Sequence, residues 1–214
     1  MVMDHIKGGN LREYLQQNSK KLNLEIKLKK LYNIAMGLSF VRQQNLVHRD
    51  LHPGNILNDR YGDGDGDGFD RSFITDVEPC RPTNYREKEG EIFGIPPYVA
   101  PEVILGQPYT PASDIYSFGI VAYELFANAY PHLDYDFGNK IICKIFFDQV
   151  VNEELRPNID EIPLPKEIKD LITRCWNADP AKRPTAQELY RTLGDWEIEI
   201  YKKKIPCFTN NTRK

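Results

Sequence analysis

Eight consecutive residues concentrate the chemistry of this chain: His48-Arg49-Asp50-Leu51-His52-Pro53-Gly54-Asn55. The Asp50 carboxylate can accept or orient a proton, and the Asp and Asn side chains carry the hard oxygens that small divalent cations prefer. Asn55 follows Asp50 by five residues, on the same tight loop. A second acidic cluster, Gly62-Asp63-Gly64-Asp65-Gly66-Asp67-Gly68, imitates the start of a calcium loop. Its twelfth position should be a bidentate glutamate but is Ile74, and the flanks read as strands where a calcium loop of this type needs helices. The repeat therefore reads as an open loop spread by glycines and repelling carboxylates.

The first cluster fixes four residues of the pattern H-R-D-x-x-x-x-N. Three more segments follow in order: Ala100-Pro101-Glu102, Ser113-Asp114-Ile115-Tyr116-Ser117-Phe118-Gly119, and Cys175-Trp176-Asn177-Ala178-Asp179-Pro180-Ala181-Lys182-Arg183-Pro184-Thr185. Together they resemble the protein kinase family, and are similar to its tyrosine-kinase-like serine/threonine members. The resemblance implies phosphoryl transfer from ATP, with magnesium, to a protein Ser or Thr hydroxyl, with Tyr the less favoured acceptor. In that reading Asp50 is the catalytic residue and Asn55 one metal ligand. Asp76, opening Asp76-Val77-Glu78 where the family has D-F-G, is the other. Val2 to Leu11 is similar to the hinge and the helix after it. Met3 would be the gatekeeper, the backbones of Asp4 and Ile6 would meet the adenine edge, and Leu57 would lie beneath the ring.

The same resemblance assigns a supporting cast. Arg49 would face a phosphorylated residue of the activation segment, with Thr83 and Tyr85 as candidates and Tyr98 as a structural residue. Glu102 and Arg183 would form a buried ion pair, and Asp114 would hold the backbone of the catalytic loop. Three positions depart from the family. Glu78 replaces a glycine and adds charge beside the metal carboxylate. His52 stands where a lysine is usual, and Ile95 where a threonine is usual. Because that lysine and threonine bond to each other, losing both is expected to leave neither buried without its partner. These departures support an alternative of another class: a pseudokinase-like module that binds a protein partner without catalysis.

The elements that must position these residues are mostly helical. Leu24, Leu28, Leu31, Ile34, Ala35, Leu38 and Val41 follow helical spacing, and Lys27-Leu28-Lys29-Lys30 reads as the solvated side of that helix. Asn45-Leu46-Val47 delivers the loop. Asn55-Ile56-Leu57 and Ser72-Phe73-Ile74 read as a hairpin. Residues 112–127 are apolar nearly all round, which predicts a central buried helix. Further helices are predicted over Lys166–Trp176 and from Thr185 to about Glu199, the last opened by the capping box of Thr185 and Glu188. The fold class is thus mostly α with a few short strands, the large lobe of the kinase-like fold. The 214 residues contain no G-x-G-x-x-G loop, and the family's glycine-rich loop and strand lysine precede the hinge, so the small lobe is expected to be absent. The expected division is hinge plus large lobe over 1–200 and a polar basic tail over 201–214. Such a lobe alone is expected to transfer little phosphate unless upstream sequence supplies the rest.

Composition bounds the remainder. A formal net charge of -3 gives no support for nucleic-acid binding. Cys80, Cys143, Cys175 and Cys207 form no C-x-x-C pair, and read as reduced thiols of a cytoplasmic protein. No apolar run approaches the roughly 20 residues of a membrane span. The expected partner is a protein, substrate or otherwise.

Overall fold

The computed structural model describes residues 8–18, 22–61, 69–76, 79–85 and 92–204. In chain order the elements are α1 (Leu11–Asn18), α2 (Leu24–Gln43), β1 (Leu46–Val47), β2 (Ile56–Tyr61), β3 (Phe69–Ile74), β4 (Arg81–Pro82), α3 (Pro101–Ile104), α4 (Pro111–Ala127), α5 (Lys140–Asn152), α6 (Lys166–Cys175) and α7 (Ala186–Lys204). Single 3-10 turns at Pro53–Asn55, Pro96–Tyr98 and Pro180–Lys182 connect them. The architecture is mostly helical, as the sequence predicts. Among the described residues there are two sheets, each of two antiparallel strands: β1 with β4, and β2 with β3. The hairpin pairs Ile56 with Ile74 and Leu57 with Phe73.

Helix α4 is the centre of the core. Residues Ser113–Ala122 and Glu124–Phe126 are all buried, which leaves it no solvent face. Its start is fixed by Pro111 at the first turn and by a reciprocal box between Thr110 and Ser113. Asn128 in the left-handed conformation ends it. Helix α2 begins at Asn23, whose side chain accepts from Ile26 N–H at 2.9 Å, and packs against α7. The capping box of α7 is present: Thr185 N–H donates to Glu188 at 2.6 Å, and Glu188 N–H to Thr185 Oγ1 at 3.2 Å. The helix runs to Lys204.

Two details of α2 correct the sequence reading. Leu24 is exposed rather than part of the buried stripe, because it stands in the first turn beyond the reach of the core. Lys30 is fully buried rather than solvated. Its ammonium donates to Asn58 Oδ1 at 2.9 Å and lies 4.1 Å from the centre of the Tyr14 ring. The inner face of the hairpin is polar here, with Ser72 Oγ also donating to Asn58 Oδ1 at 3.0 Å. A buried lysine head needs such acceptors, and the pleat of β2 brings one to it.

Candidate active site

The catalytic loop begins where β1 ends, and its backbone is held from below by α4. Asp114, 5% exposed, accepts the backbone N–H of His48 through Oδ2 at 2.8 Å and that of Arg49 through Oδ1 at 2.9 Å. Burial pushes the Asp114 carboxyl up from its ordinary range, against the two backbone donors that favour the anion. The loop needs this anchor because Arg49 has φ +76°, a conformation that a residue with a Cβ resists. His48 is fully buried, its Nε2 2.9 Å from the Thr75 carbonyl, and its Nδ1 accepts the Asp50 N–H at 3.4 Å. The left-handed turn at Arg49 therefore sits between two fixed points, and Asp50 follows it directly.

Asp50 and Asn55 are brought together. Asn55 Nδ2 donates to the Asp50 carbonyl at 2.9 Å and to Asp50 Oδ2 at 3.2 Å. Those bonds use the amide nitrogen and leave Asn55 Oδ1 as the oxygen a hard cation would take. Asp50 Oδ1 is buried and has no hydrogen-bond partner. The lysine and threonine that the resemblance anticipated are both absent, and beside their places one oxygen of Asp50 is unpaired. His52 Nε2 stands 3.7 Å from it. The imidazole is the main influence holding the Asp50 carboxyl below its ordinary range, against partial burial.

Asp76 stands at the end of β3, exposed, with φ +57°. Its neighbour Thr75 ties it to the loop, donating to the Asn55 carbonyl through N–H at 2.9 Å and through Oγ1 at 3.3 Å. Leu57 is half-buried on β2, where it bridges to Asn10, and Asn58 N–H donates to the Gly9 carbonyl at 2.9 Å. The approach of the chain at Gly8 is so close that a Cβ there would lie 2.0 Å from the Asn58 carbonyl oxygen. The residues after the expected hinge thus run against the strand carrying Leu57. Met3, Asp4, Ile6, Val77, Glu78 and the Asp-Gly repeat lie outside the described residues.

The supporting residues fall into place around this loop. Arg49 donates to the Pro79 carbonyl at 2.9 Å, and its guanidinium lies over Phe93 (4.6 Å), Tyr109 (5.1 Å) and Tyr85 (5.5 Å). Thr83 and Tyr85 are both exposed. Arg183 and Glu102 form a bidentate pair at 2.7 Å on both arms. Sequence reasoning missed a second buried cluster, in which Tyr98 hydroxyl donates to Glu124 Oε2. Arg12 donates to Glu124 Oε1 at 3.3 Å and to the Tyr98 hydroxyl at 2.9 Å, with its guanidinium 5.0 Å above the Tyr130 ring. A glutamate in the apolar C-terminal half of α4 was the available signal.

A carboxylate and an amide oxygen on a loop strapped to a central helix are the arrangement that the kinase resemblance leads one to expect. Residues 1–193 match the family described as protein tyrosine and serine/threonine kinase, and the chain belongs to that family. A protein of Acanthamoeba polyphaga mimivirus, named for a serine/threonine-protein kinase and receptor, is 33% identical over 199 residues, 90% of this chain and 11% of its own length. The dual specificity protein kinase zakA of Dictyostelium discoideum is 32% identical over 196 residues, covering 86% of this chain and 24% of the relative. The serine/threonine/tyrosine-protein kinase HT1 of Arabidopsis thaliana is 32% identical over 213 residues, 96% of this chain and 49% of the relative. The chain thus spans half or less of the length of each of these relatives. Among the described residues no helix is long and apolar enough to cross a membrane.

Proposed function

We propose that residues 1–200 form the hinge and large lobe of a protein kinase that transfers the γ-phosphoryl group of ATP to a Ser or Thr hydroxyl of a protein in the cytoplasm. The observation that carries this reading is the Asp50–Asn55 pair on a loop whose backbone Asp114 holds. Asp50 accepts the proton of the substrate hydroxyl. Asn55 Oδ1 and the Asp76 carboxylate are hard oxygen donors that suit magnesium, which when bound neutralises charge on the phosphates. In this reading Leu57 supports the adenine ring from below, Met3 is the gatekeeper, and the backbones of Asp4 and Ile6 meet the adenine edge. The relatives named for serine/threonine and dual-specificity kinases favour a hydroxyl acceptor on protein.

The test is γ-phosphoryl transfer from magnesium-ATP to a mixed Ser/Thr protein substrate. It is run with the 214-residue chain and with the protein captured from its source by an antibody to the C-terminal tail. Removing a general base costs about 10²–10⁴-fold, so Asp50→Asn should lower transfer by at least that order. Transfer that survives Asp50→Asn, or none from either preparation, refutes the reading. In the latter case partner binding becomes the account to pursue.

A further inference from the structure

Asp50 has one oxygen held and one idle. Oδ2 accepts from Asn55, while Oδ1 is buried without a partner. Beside it the chain has built a seat for one particular ring. His52 Nδ1 accepts the Gly54 N–H at 3.0 Å, so the neutral imidazole carries its proton on Nε2, the atom that faces Asp50 Oδ1 at 3.7 Å. The ring is largely enclosed, its side chain 12% exposed, and it tilts against Tyr98 with 6.1 Å between ring centres. Gly54 makes the seat possible. A Cβ at that position would lie 2.6 Å from His52 Cε1 and 2.8 Å from Nδ1, distances that no packing tolerates. Ile95, which lines the same small cavity as Asp50, offers no donor.

We propose that His52 is the positioning residue for Asp50: its Nε2–H is the donor that takes up Oδ1 and fixes the rotation of the carboxylate, and Gly54 is the residue that lets the ring sit there. This rests on the reading of Asp50 as the catalytic carboxylate. Closing the gap to an ordinary N–H···O distance requires a shift of about 0.8 Å, within reach of a small side-chain torsion. The neutral ring suffices. With both oxygens engaged, by Asn55 and by His52, the carboxylate presents one face to an incoming hydroxyl and loses the freedom that an idle oxygen leaves it. The pairing also explains why glycine and histidine occur two residues apart on this loop, since each is spent on the other.

Two experiments decide it. The first needs no turnover: the full chain, carrying ¹⁵N-labelled imidazoles, is examined at about pH 8, where an ordinary imidazole is neutral. The His52 signal, identified by its loss in His52→Gln, should report the Nε2–H tautomer, and its ring shifts should move on Asp50→Asn. Gly54→Ala should convert it to a tautomer average. An Nδ1–H ring, or one indifferent to Asp50→Asn, overturns the proposal. The second is kinetic. A lost hydrogen bond of this kind is worth about tenfold in rate, so His52→Leu should lower kcat by that order with the KM for ATP unchanged. His52→Gln, which keeps an N–H at the same reach, should recover most of the loss. Gly54→Ala should be costly beside His52 and add nothing beside His52→Leu. Additive losses, or a KM effect alone, count against positioning. If no preparation transfers phosphate, the proposed function fails while the imidazole spectrum still decides the contact.

Discussion

Replacing Asp114 tests whether the loop is held from α4 as the geometry says. Asp114→Ala removes the acceptors of two buried backbone N–H groups, those of His48 and Arg49. Each stranded donor costs about 1–3 kcal/mol, so the gross loss is about 2–6 kcal/mol. Against that stands relief from burying a carboxylate, since burial pushes the Asp114 carboxyl up. The net destabilisation expected is therefore about 2–4 kcal/mol, a large share of the roughly 5–15 kcal/mol typical of a domain. Asp114→Asn keeps one oxygen but turns an NH₂ toward the second N–H, so it should fall about halfway. The assay is urea unfolding of the three proteins, with hydrogen exchange at the His48 and Arg49 amides. Because Arg49 is held at φ +76°, those amides should lose protection together in the Ala variant. A loss below about 1 kcal/mol, or amides still protected, would refute the strap.

Two further outcomes follow from buried polar groups elsewhere. Glu102→Ala leaves the Arg183 guanidinium buried with backbone carbonyls (Ala112, Asn177 and Ala178) but no carboxylate to bond, and should cost about 3–5 kcal/mol in urea unfolding. Glu102→Leu with Arg183→Met should cost clearly less than the sum of the two single changes, and strict additivity would count against the pair. His132 is held down to about 4, first by burial and then by the charge of Arg156. Between pH 6.5 and about 4 the unfolded chain binds a proton that the folded chain does not. Wild-type stability should therefore fall relative to His132→Asn as pH drops through that window, and parallel melting curves for the two proteins would contradict this.

What the sequence made legible divides by range. The catalytic loop, the hairpin after it and helices α2, α4, α6 and α7 were readable because their signals are local: a motif within eight residues, a period of 3.6, a capping box. Asp114, Glu102 and Arg183 were readable only through the family resemblance, since nothing local says that a carboxylate 66 residues away will receive the His48 amide. Lys30 was misread for the same reason, its acceptor being 28 residues distant on a strand whose inner face is polar. Helix α5 was not predicted, and the exposed Ile141 and Ile145 on it blur the alternation that marks an amphipathic helix. The idle oxygen of Asp50 could not have been seen at all. It depends on how far an imidazole stands from a carboxylate, and spacing of two residues on a turn does not fix that distance.

The polar groups of α4 give these parts a common cause. Asp114 holds the catalytic loop, Ser117 Oγ donates to the Tyr98 carbonyl at 2.7 Å, and Glu124 takes the Tyr98 hydroxyl and Arg12. At about 100° per residue these three side chains fall within roughly 80° of one another around the helix. One side of the most buried helix in the fold is therefore polar, at the cost of apolar contact there. Each of its groups ends on a segment of the candidate site: the Asp50 loop directly, and the Tyr98 turn against which the His52 ring rests. The active-site loops are irregular and short, and they have little core of their own. Tying them to α4 gives them the rigidity of the core without requiring their own residues to be apolar. The consequence is an ordering of stabilities: the His48–Asn55 loop should open only when α4 itself does, whereas the β2–β3 hairpin, whose described side chains make no polar contact with α4, can open first.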